Sequence, residues 1–291
     1  MSPGPAGAGG RVGLWVAGAR PRTLGAAVAP VLVGTAVASR SQPVVAWRAL
    51  AALVVALALQ VGVNYANDYS DGRRGVDARR QGPLRLTASG AVAAEAVRRA
   101  AAIAFAVGAV AGLALSVAVD WRLAAVGAAA IVAAMAYAGG PRPYASLGLG
   151  EVMVMVFFGF VATCGSAYVQ LGSLPGLAVA ASVPVGLGAC AILLVNNLRD
   201  LPTDEAAGKI TLAVRLGGPA TRAAYVSCVV GALGGAIVHP AALVAAPLAV
   251  EPCRLVLRAD SGPPALVRAL KGTAAFQLTL GAALAVGLWL W

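Results

Sequence analysis

Charge is scarce in this sequence. Of its 291 residues only 11% are Asp, Glu, Lys or Arg, against roughly a quarter in ordinary soluble domains. That shortage, with 60% hydrophobic residues and a mean hydropathy of +0.83, excludes both a soluble globular domain and a disordered chain. Histidine occurs once, as His239 before Pro240; with no His or Cys companion it reads as a turn residue at a membrane interface and offers no zinc centre. Cys164, Cys190, Cys228 and Cys253 are scattered among apolar residues without CxxC spacing, so they are expected to pack rather than bind metal or pair. "GKITLAVRLG" contains no GxxxxGK[ST], which removes a P-loop. The alternation of an outer-membrane strand is missing. The Gly/Pro-rich opening "MSPGPAGAGG" lacks the basic-then-apolar layout of a cleaved signal, and residues 1–19 are expected to form a flexible tail.

What is present is a series of apolar runs, each near the roughly 20 residues that cross a bilayer. They predict an all-α integral membrane protein with nine transmembrane helices, near 24–39, 46–66, 97–119, 121–138, 152–171, 177–197, 221–238, 240–257 and 272–291. These helices are expected to form one bundle, a single domain over residues 20–291. The net charge of +11 would suit nucleic acid if it lay on one soluble face, but the basic residues sit in short segments between hydrophobic runs. No nucleic acid is expected; membrane lipid is. With the N-terminus cytoplasmic, all 22 Lys and Arg residues except Arg40, Arg48 and Arg122 fall on the inner side, as the positive-inside rule requires. Asp68, Asp71, Asp77, Glu95, Glu151, Asp200, Asp204, Glu205 and Asp260 fall there too, while the opposite face holds little beyond Asp120 and His239.

Two helix ends carry most of the polar chemistry. The second span closes with "VNYANDYSDG" and the sixth with "VNNLRDLPTDEAAGK", so that Asn64 and Asp68 are four residues apart, as are Asn196 and Asp200. Such an echo predicts two four-helix pseudo-repeats followed by a ninth helix. On a helix, Asn64, Asp68 and Asp71 share a stripe about 60° wide, and Asn197, Asp200 and Asp204 share another. A single row would read equally well as solvated caps and turn formers. Two matching rows on one face, where an isolated charge costs roughly 2.5–3.5 kcal/mol, call for a partner. Mg²⁺ suits them, since it takes carboxylate oxygens together with water and substrate phosphate. Arg73, Arg74, Arg79, Arg80 and Arg85 follow the first row, and Arg199, Lys209 and Arg215 surround the second, an arrangement matched to a polyphosphate. Basic residues also belong in cytoplasmic loops on topological grounds alone.

These stretches resemble the two Asp-rich motifs of the UbiA superfamily of intramembrane prenyltransferases, and the resemblance runs from "ARPRTLGAAVAPVLVG" to the last helix. Within the superfamily, "NYANDYSDGRRGVD", "GPLRLTASG" and "YAGGPRPYASLGLGE" are most similar to the MenA branch, which prenylates 1,4-dihydroxy-2-naphthoate in menaquinone synthesis. The resemblance implies a nine-helix bundle around a central cavity, with a cytoplasmic cap of Asp-rich loops, in a bacterial plasma (inner) membrane. It implies transfer of a polyprenyl group from polyprenyl diphosphate with loss of CO₂, giving demethylmenaquinone. Two Mg²⁺ ions would be held by Asn64, Asp68, Asp71, Asp200 and Asp204, and Asp68, Asp71, Asp200, Asp204 and Lys209 would form the catalytic machinery. Arg199 and Lys209 would hold the diphosphate, with Asn67, Asp77 and Asn197 beside the substrate. Whether Asp71 or Asp77 supplies the third carboxylate stays open. The resemblance would place Arg20 and Arg22 at the cavity mouth, while as lone arginines they serve equally well as interface anchors; Tyr65, Tyr137 and Tyr144 lie near the same motifs and either offer π faces to a cation or are ordinary interface tyrosines. Arg142 either meets the acceptor carboxylate or faces the headgroups.

Two other readings remain. A UbiA-type transferase with 4-hydroxybenzoate as acceptor would carry the same motifs. A transporter would also place acids inside a bundle and use internal duplication, but at the midplane and with an opposite exit, neither of which this sequence provides.

Overall fold

The computed structural model describes residues 10–75, 84–140 and 143–291. Every regular element among them is helical. A short α1 (Arg11–Ala19) leads through a 3₁₀ turn (Pro21–Thr23) into α2 (Gly25–Ser39), and the pair is bent by 53°. Then come α3 (Ala46–Arg73), α4 (Ala94–Ala118), α5 (Arg122–Ala138), α6 (Gly150–Val154), α7 (Ala162–Leu171), α8 (Gly176–Ala206), α9 (Leu212–Leu233), α10 (Ala246–Leu257) and α11 (Pro263–Leu290).

Among the described residues, seven helical segments are long and apolar enough to cross a membrane, with Gly150–Leu171 and Pro240–Leu257 each taken as one, eight when the bent pair counts as one span, and Arg122–Tyr137 is a shorter apolar helix. The expected tail is shorter than the sequence suggested: residues 11–19 are helical, because "RVGLWVAGA" is apolar enough to lie against the bundle, where Trp15 packs edge-on against Tyr65. The seventh and ninth expected spans begin too late. Helix α9 starts at Leu212, capped by Thr211, whose Oγ1 accepts from the Val214 N–H at 3.4 Å, and continues across a kink at Gly217. Helix α11 starts at Pro263, because Pro264 is a tolerated first-turn residue and Arg268 and Lys271 do not interrupt the winding.

Four of the aspartates foreseen in a cap of loops are helical, and residues 76–83, which carry Asp77, lie outside the described residues. Asp68 and Asp71 lie on the last turns of α3, and Asp200 and Asp204 on the last turns of α8. Hydropathy misplaces these ends because polarity rises before the backbone stops hydrogen bonding to itself. Helix α8 ends where Gly208 takes the left-handed conformation (φ 70°), donating its N–H to Glu205 while Lys209 donates to the Asp204 carbonyl at 2.8 Å. Glycine adopts that conformation without steric cost.

Helix α8 is the central element, with 72% of its apolar window buried. Around it Val33, Ala167, Val185, Leu194, Tyr225, Phe276, Leu280 and Leu284 form the larger core, built from α2, α7, α8, α9 and α11. A second cluster of Tyr65, Leu86, Val97 and Phe105 joins α3, α4 and the segment before α4. Small residues set the spacing: a Cβ on Gly281 would collide with Ala29, so α11 and α2 cross in near backbone contact. Between α6 and α7, residues Met155–Val161 are π-helical, and Gly159 there packs against Gly186 of α8.

Candidate active site

The ends of α3 and α8 meet on one side of the bundle. Asn64, Asn67, Asp68 and Asp71 from α3, with Asn197, Arg199, Asp200 and Asp204 from α8, are all at most 9% exposed. Charges buried to that degree demand partners, and the partners are identifiable. Arg199 makes a two-pronged pair with Asp200, Nε to Oδ1 at 2.8 Å and Nη2 to Oδ2 at 2.7 Å, and also donates to Asn196 Oδ1 at 2.9 Å. Lys209 donates to Asp71 Oδ2 at 3.3 Å and lies 4.0 Å from Asp204 Oδ1. The left-handed Gly208 is what folds Lys209 back over the helix end.

Asp68 has a structural task that sequence spacing does not suggest. Its Oδ2 accepts from the Leu86 N–H and its Oδ1 from the Thr87 N–H, both at 2.9 Å. A carboxylate has about four lone-pair sites, so one on each oxygen remains for another ligand. Asn64 donates its amide to the Ala19 carbonyl at 2.8 Å, which fixes the α1–α2 bend against α3 and turns the amide oxygen elsewhere.

Beneath this cluster is a cavity of about 570 Å³, lined mainly by apolar residues of α2, α3, α5, the continuous α6–α7 segment with its π-helical stretch, and α8, including Ala27, Val31, Leu59, Val63, Phe157, Phe158 and Ile192. Its polar lining is sparse: Thr23, Gln60, Asn64, Asn67, Ser166, Asn196, Tyr137 and Tyr144, with the cations Arg20, Arg22, Arg85, Arg199 and Lys271. The four aspartates do not line it; Asn64, Asn67 and Arg199 stand between them and the apolar space. Arg20, at the α1–α2 break, holds the left-handed conformation (φ 56°, ψ 61°), and its Nη2 is buried without a hydrogen-bond partner among the described residues. A non-glycine residue there is strained. Tyr137 and Tyr144 pack edge to face with centroids 5.5 Å apart; burial pushes the Tyr144 hydroxyl up to about 12, so it stays protonated.

Asn197, expected beside the substrate, points away from the cavity and donates to Glu151 Oε1 at 2.9 Å. Its neighbour Asn196 takes the lining position, since consecutive residues on a helix diverge by about 100°. Glu151 was visible in the sequence only as one more inner-face acid. It is 7% exposed, and its Oε2 has no hydrogen-bond partner among the described residues. The signal for it was an isolated acid opening an apolar run, a costly placement unless it meets a polar partner. Asp77 and Arg142 lie outside the described residues.

Among the described residues no three His, Cys, Asp or Glu side chains converge to hold a metal by themselves. The donor set nevertheless fits Mg²⁺, which keeps waters and shares its shell with substrate phosphate. Two buried carboxylate rows with interleaved cations supply part of such a shell and leave the rest to a ligand.

A membrane-embedded helical bundle with a buried acid–base cluster over an apolar cavity defines an intramembrane site for a molecule with an anionic head and a hydrocarbon tail. The chain belongs to the UbiA prenyltransferase family, whose profile matches residues 27–268. It is 45% identical over 278 residues to the 1,4-dihydroxy-2-naphthoate octaprenyltransferase of Mycobacterium tuberculosis, covering 93% of this chain and 95% of that one. It is 37% identical over 290 residues to the Escherichia coli protein of the same name, covering 90% and 92%. Among solved structures, a UbiA homolog from Aeropyrum pernix K1 superposes with a TM-score of 0.67 at 17% identity, over 90% of this chain and 97% of that one. A UbiA homolog from Archaeoglobus fulgidus bound to GPP and Mg²⁺ gives 0.60 at 13% identity, over 94% and 99%. These two likenesses concern the fold.

Proposed function

We propose that the protein transfers a polyprenyl group from polyprenyl diphosphate to 1,4-dihydroxy-2-naphthoate with loss of CO₂, the prenylation step of menaquinone biosynthesis. The observation that carries this reading is the likeness, over more than nine-tenths of the chain, to octaprenyltransferases named for that acceptor. The site agrees chemically, with a polar cluster for a diphosphate above an apolar space for an isoprenoid.

In the reaction the allylic C–O bond breaks with its electron pair leaving on the diphosphate. The new C–C bond takes a pair from the electron-rich ring, and the ring is refilled when the bond to the carboxylate breaks and CO₂ departs. Asn64, Asp68, Asp71, Asp200 and Asp204 would hold two Mg²⁺ ions through the diphosphate. Bound there, the metal supplies neutralisation of the leaving group's negative charge. Arg199 and Lys209 add donors aimed at the same charge. The apolar lining excludes water, which would trap the allylic cation. Tyr137 and Tyr144 present ring faces and edges near the cavity top, where a π face stabilises a passing cation.

The same reading gives nine membrane passes, counting the bent α1–α2 pair, the short α5 and the α6–α7 unit as one each. Helices α3 and α8 then occupy equivalent places in two four-helix pseudo-repeats, with α11 as the ninth pass. The motif-bearing ends face the cytoplasm of a bacterial plasma membrane, in keeping with the distribution of Lys and Arg.

The test is incubation of membranes containing the protein with radiolabelled polyprenyl diphosphate, Mg²⁺ and either 1,4-dihydroxy-2-naphthoate or 4-hydroxybenzoate. Labelled naphthoquinol and labelled CO₂ from carboxyl-tagged acceptor are expected with the first alone. Product with 4-hydroxybenzoate alone would reassign the acceptor, and none with either would sink the enzyme reading. EDTA should abolish transfer and Mg²⁺ restore it.

A further inference from the structure

The cavity wall contributed by α3 is a stripe of Ala52, Val55, Ala56, Leu59, Gln60, Val63, Asn64 and Asn67. Gln60 is the member that neither the diphosphate nor the isoprenoid explains. It stands one turn beneath Asn64 and two beneath Asn67, within about 40° of both around the helix. At 1.5 Å per residue it lies about 12 Å beneath Asp68, deep enough for a diphosphate and one ring to stand between. Its immediate neighbours on the wall are Ala56, Leu59 and Val63. Gln60 is half-buried and makes no hydrogen bond to any described residue. An amide left in an apolar wall costs free energy unless something bonds to it, and an isoprenoid cannot.

We propose that Gln60 binds the acceptor, its side-chain amide hydrogen bonding one ring hydroxyl of the dihydroxynaphthoate. This rests on the proposed function and adds to it a specificity residue that the Asp-rich motifs do not contain. The amide can donate to or accept from a phenolic hydroxyl. A hydroxyl held at this depth keeps the ring below the leaving diphosphate, on the face from which the allylic carbon is exposed as its C–O bond breaks. Discrimination of this kind is strong, because the analogue lacking the hydroxyl leaves a polar group of the site unpaired.

The experiment measures inhibition by 1-hydroxy-2-naphthoate and 4-hydroxy-2-naphthoate, each lacking one hydroxyl, in wild type, Gln60→Leu and Gln60→Asn. In wild type, the analogue lacking the bonded hydroxyl should bind about tenfold more weakly than the full acceptor. In Gln60→Leu that penalty should vanish for one analogue and persist for the other. The acceptor KM should rise about tenfold and the donor KM stay within about twofold. A structural role would move both KM values together and leave both penalties intact. Gln60→Asn, with a shorter reach, should restore part of the preference. Retention of both penalties in Gln60→Leu, with the donor KM unchanged, would overturn the inference and leave the proposed function standing. A wild-type protein that prenylates no naphthoate would remove both.

Discussion

Lys209 and Asp71 face each other across the two motif helices, Nζ to Oδ2 at 3.3 Å. The contact joins residues 138 positions apart, and it makes the end of α3 and the end of α8 one electrostatic unit. Asp204, 4.0 Å from the same ammonium, completes a triad in which one cation stands between two acids. A ligand bringing negative charge and metal would take Lys209 as its own partner and release both carboxylates to the metal.

Replacing Lys209 with Met keeps the stem and removes the charge. Turnover should fall by about 100-fold or more, the scale of losing one preorganised donor to a leaving group. Single-turnover transfer of labelled prenyl measures it, and a variant within threefold of wild type would remove Lys209 from the diphosphate site.

Arg199 and Asp200 are a buried pair, with side chains 2% and 7% exposed. Breaking a buried pair by removing one member costs about 3–5 kcal/mol. Arg199→Ala should therefore melt well below wild type in detergent, and the double variant Arg199→Ala with Asp200→Ala should melt above either single. Arg199→Lys should not restore activity, because an ammonium cannot reproduce the two-pronged geometry.

Asp68 and Asp71 are close in sequence and differ in duty. Asp68→Asn replaces one acceptor oxygen with a donor facing a backbone N–H, so amide exchange at Leu86 and Thr87 should quicken as activity falls. Asp71→Asn should lower activity without touching those amides. Equal exchange in the two variants would show that Asp68 does not hold the segment.

On the far face, Tyr168 donates to Asp120 Oδ2 at 2.6 Å, and the Arg122 N–H donates to Oδ1 at 2.9 Å. These bonds, the tyrosine's first, hold the Asp120 carboxyl below its ordinary value. A group whose value is lowered on folding contributes stability above its unfolded range, and that contribution disappears as pH falls through the folded one. Tyr168→Phe should move the Asp120 titration upward toward the ordinary carboxylate range, as carboxyl-carbon NMR would record. The acid-side loss of stability in wild type should lie at lower pH than in the variant.

Much of the site was legible because it is local. Spacings of three and four placed Asn64, Asp68 and Asp71 on one stripe and Asp200 and Asp204 on another, and low charge made the chain a membrane bundle. What was not legible depends on chain segments distant in sequence. Nothing in "NYANDYSDG" says that Leu86 and Thr87 return to Asp68. Nor does "VNNLRD" say which asparagine turns inward, because that is decided by Glu151, 46 residues earlier. The helical tail and the strained Arg20 escaped for a related reason: a short apolar segment has no strong preference of its own until Asn64 and Tyr65 fix its carbonyls, at 2.8 Å each.

The π-helical stretch from Met155 to Val161 sits in the middle of a cavity wall whose facing residues recur every four positions, from Gly150, Val154 and Phe158 to Ala162 and Ser166. A regular α-helix advances faster than that, so a four-residue stripe would wind out of the cavity within a few turns; i→i+5 bonding turns more slowly. The stretch is thus a phase correction written into the backbone. Deleting a single residue from it would rewind the segment to ordinary pitch and swing one half of the wall out of register with the other, although no side chain that touches the chemistry had been changed.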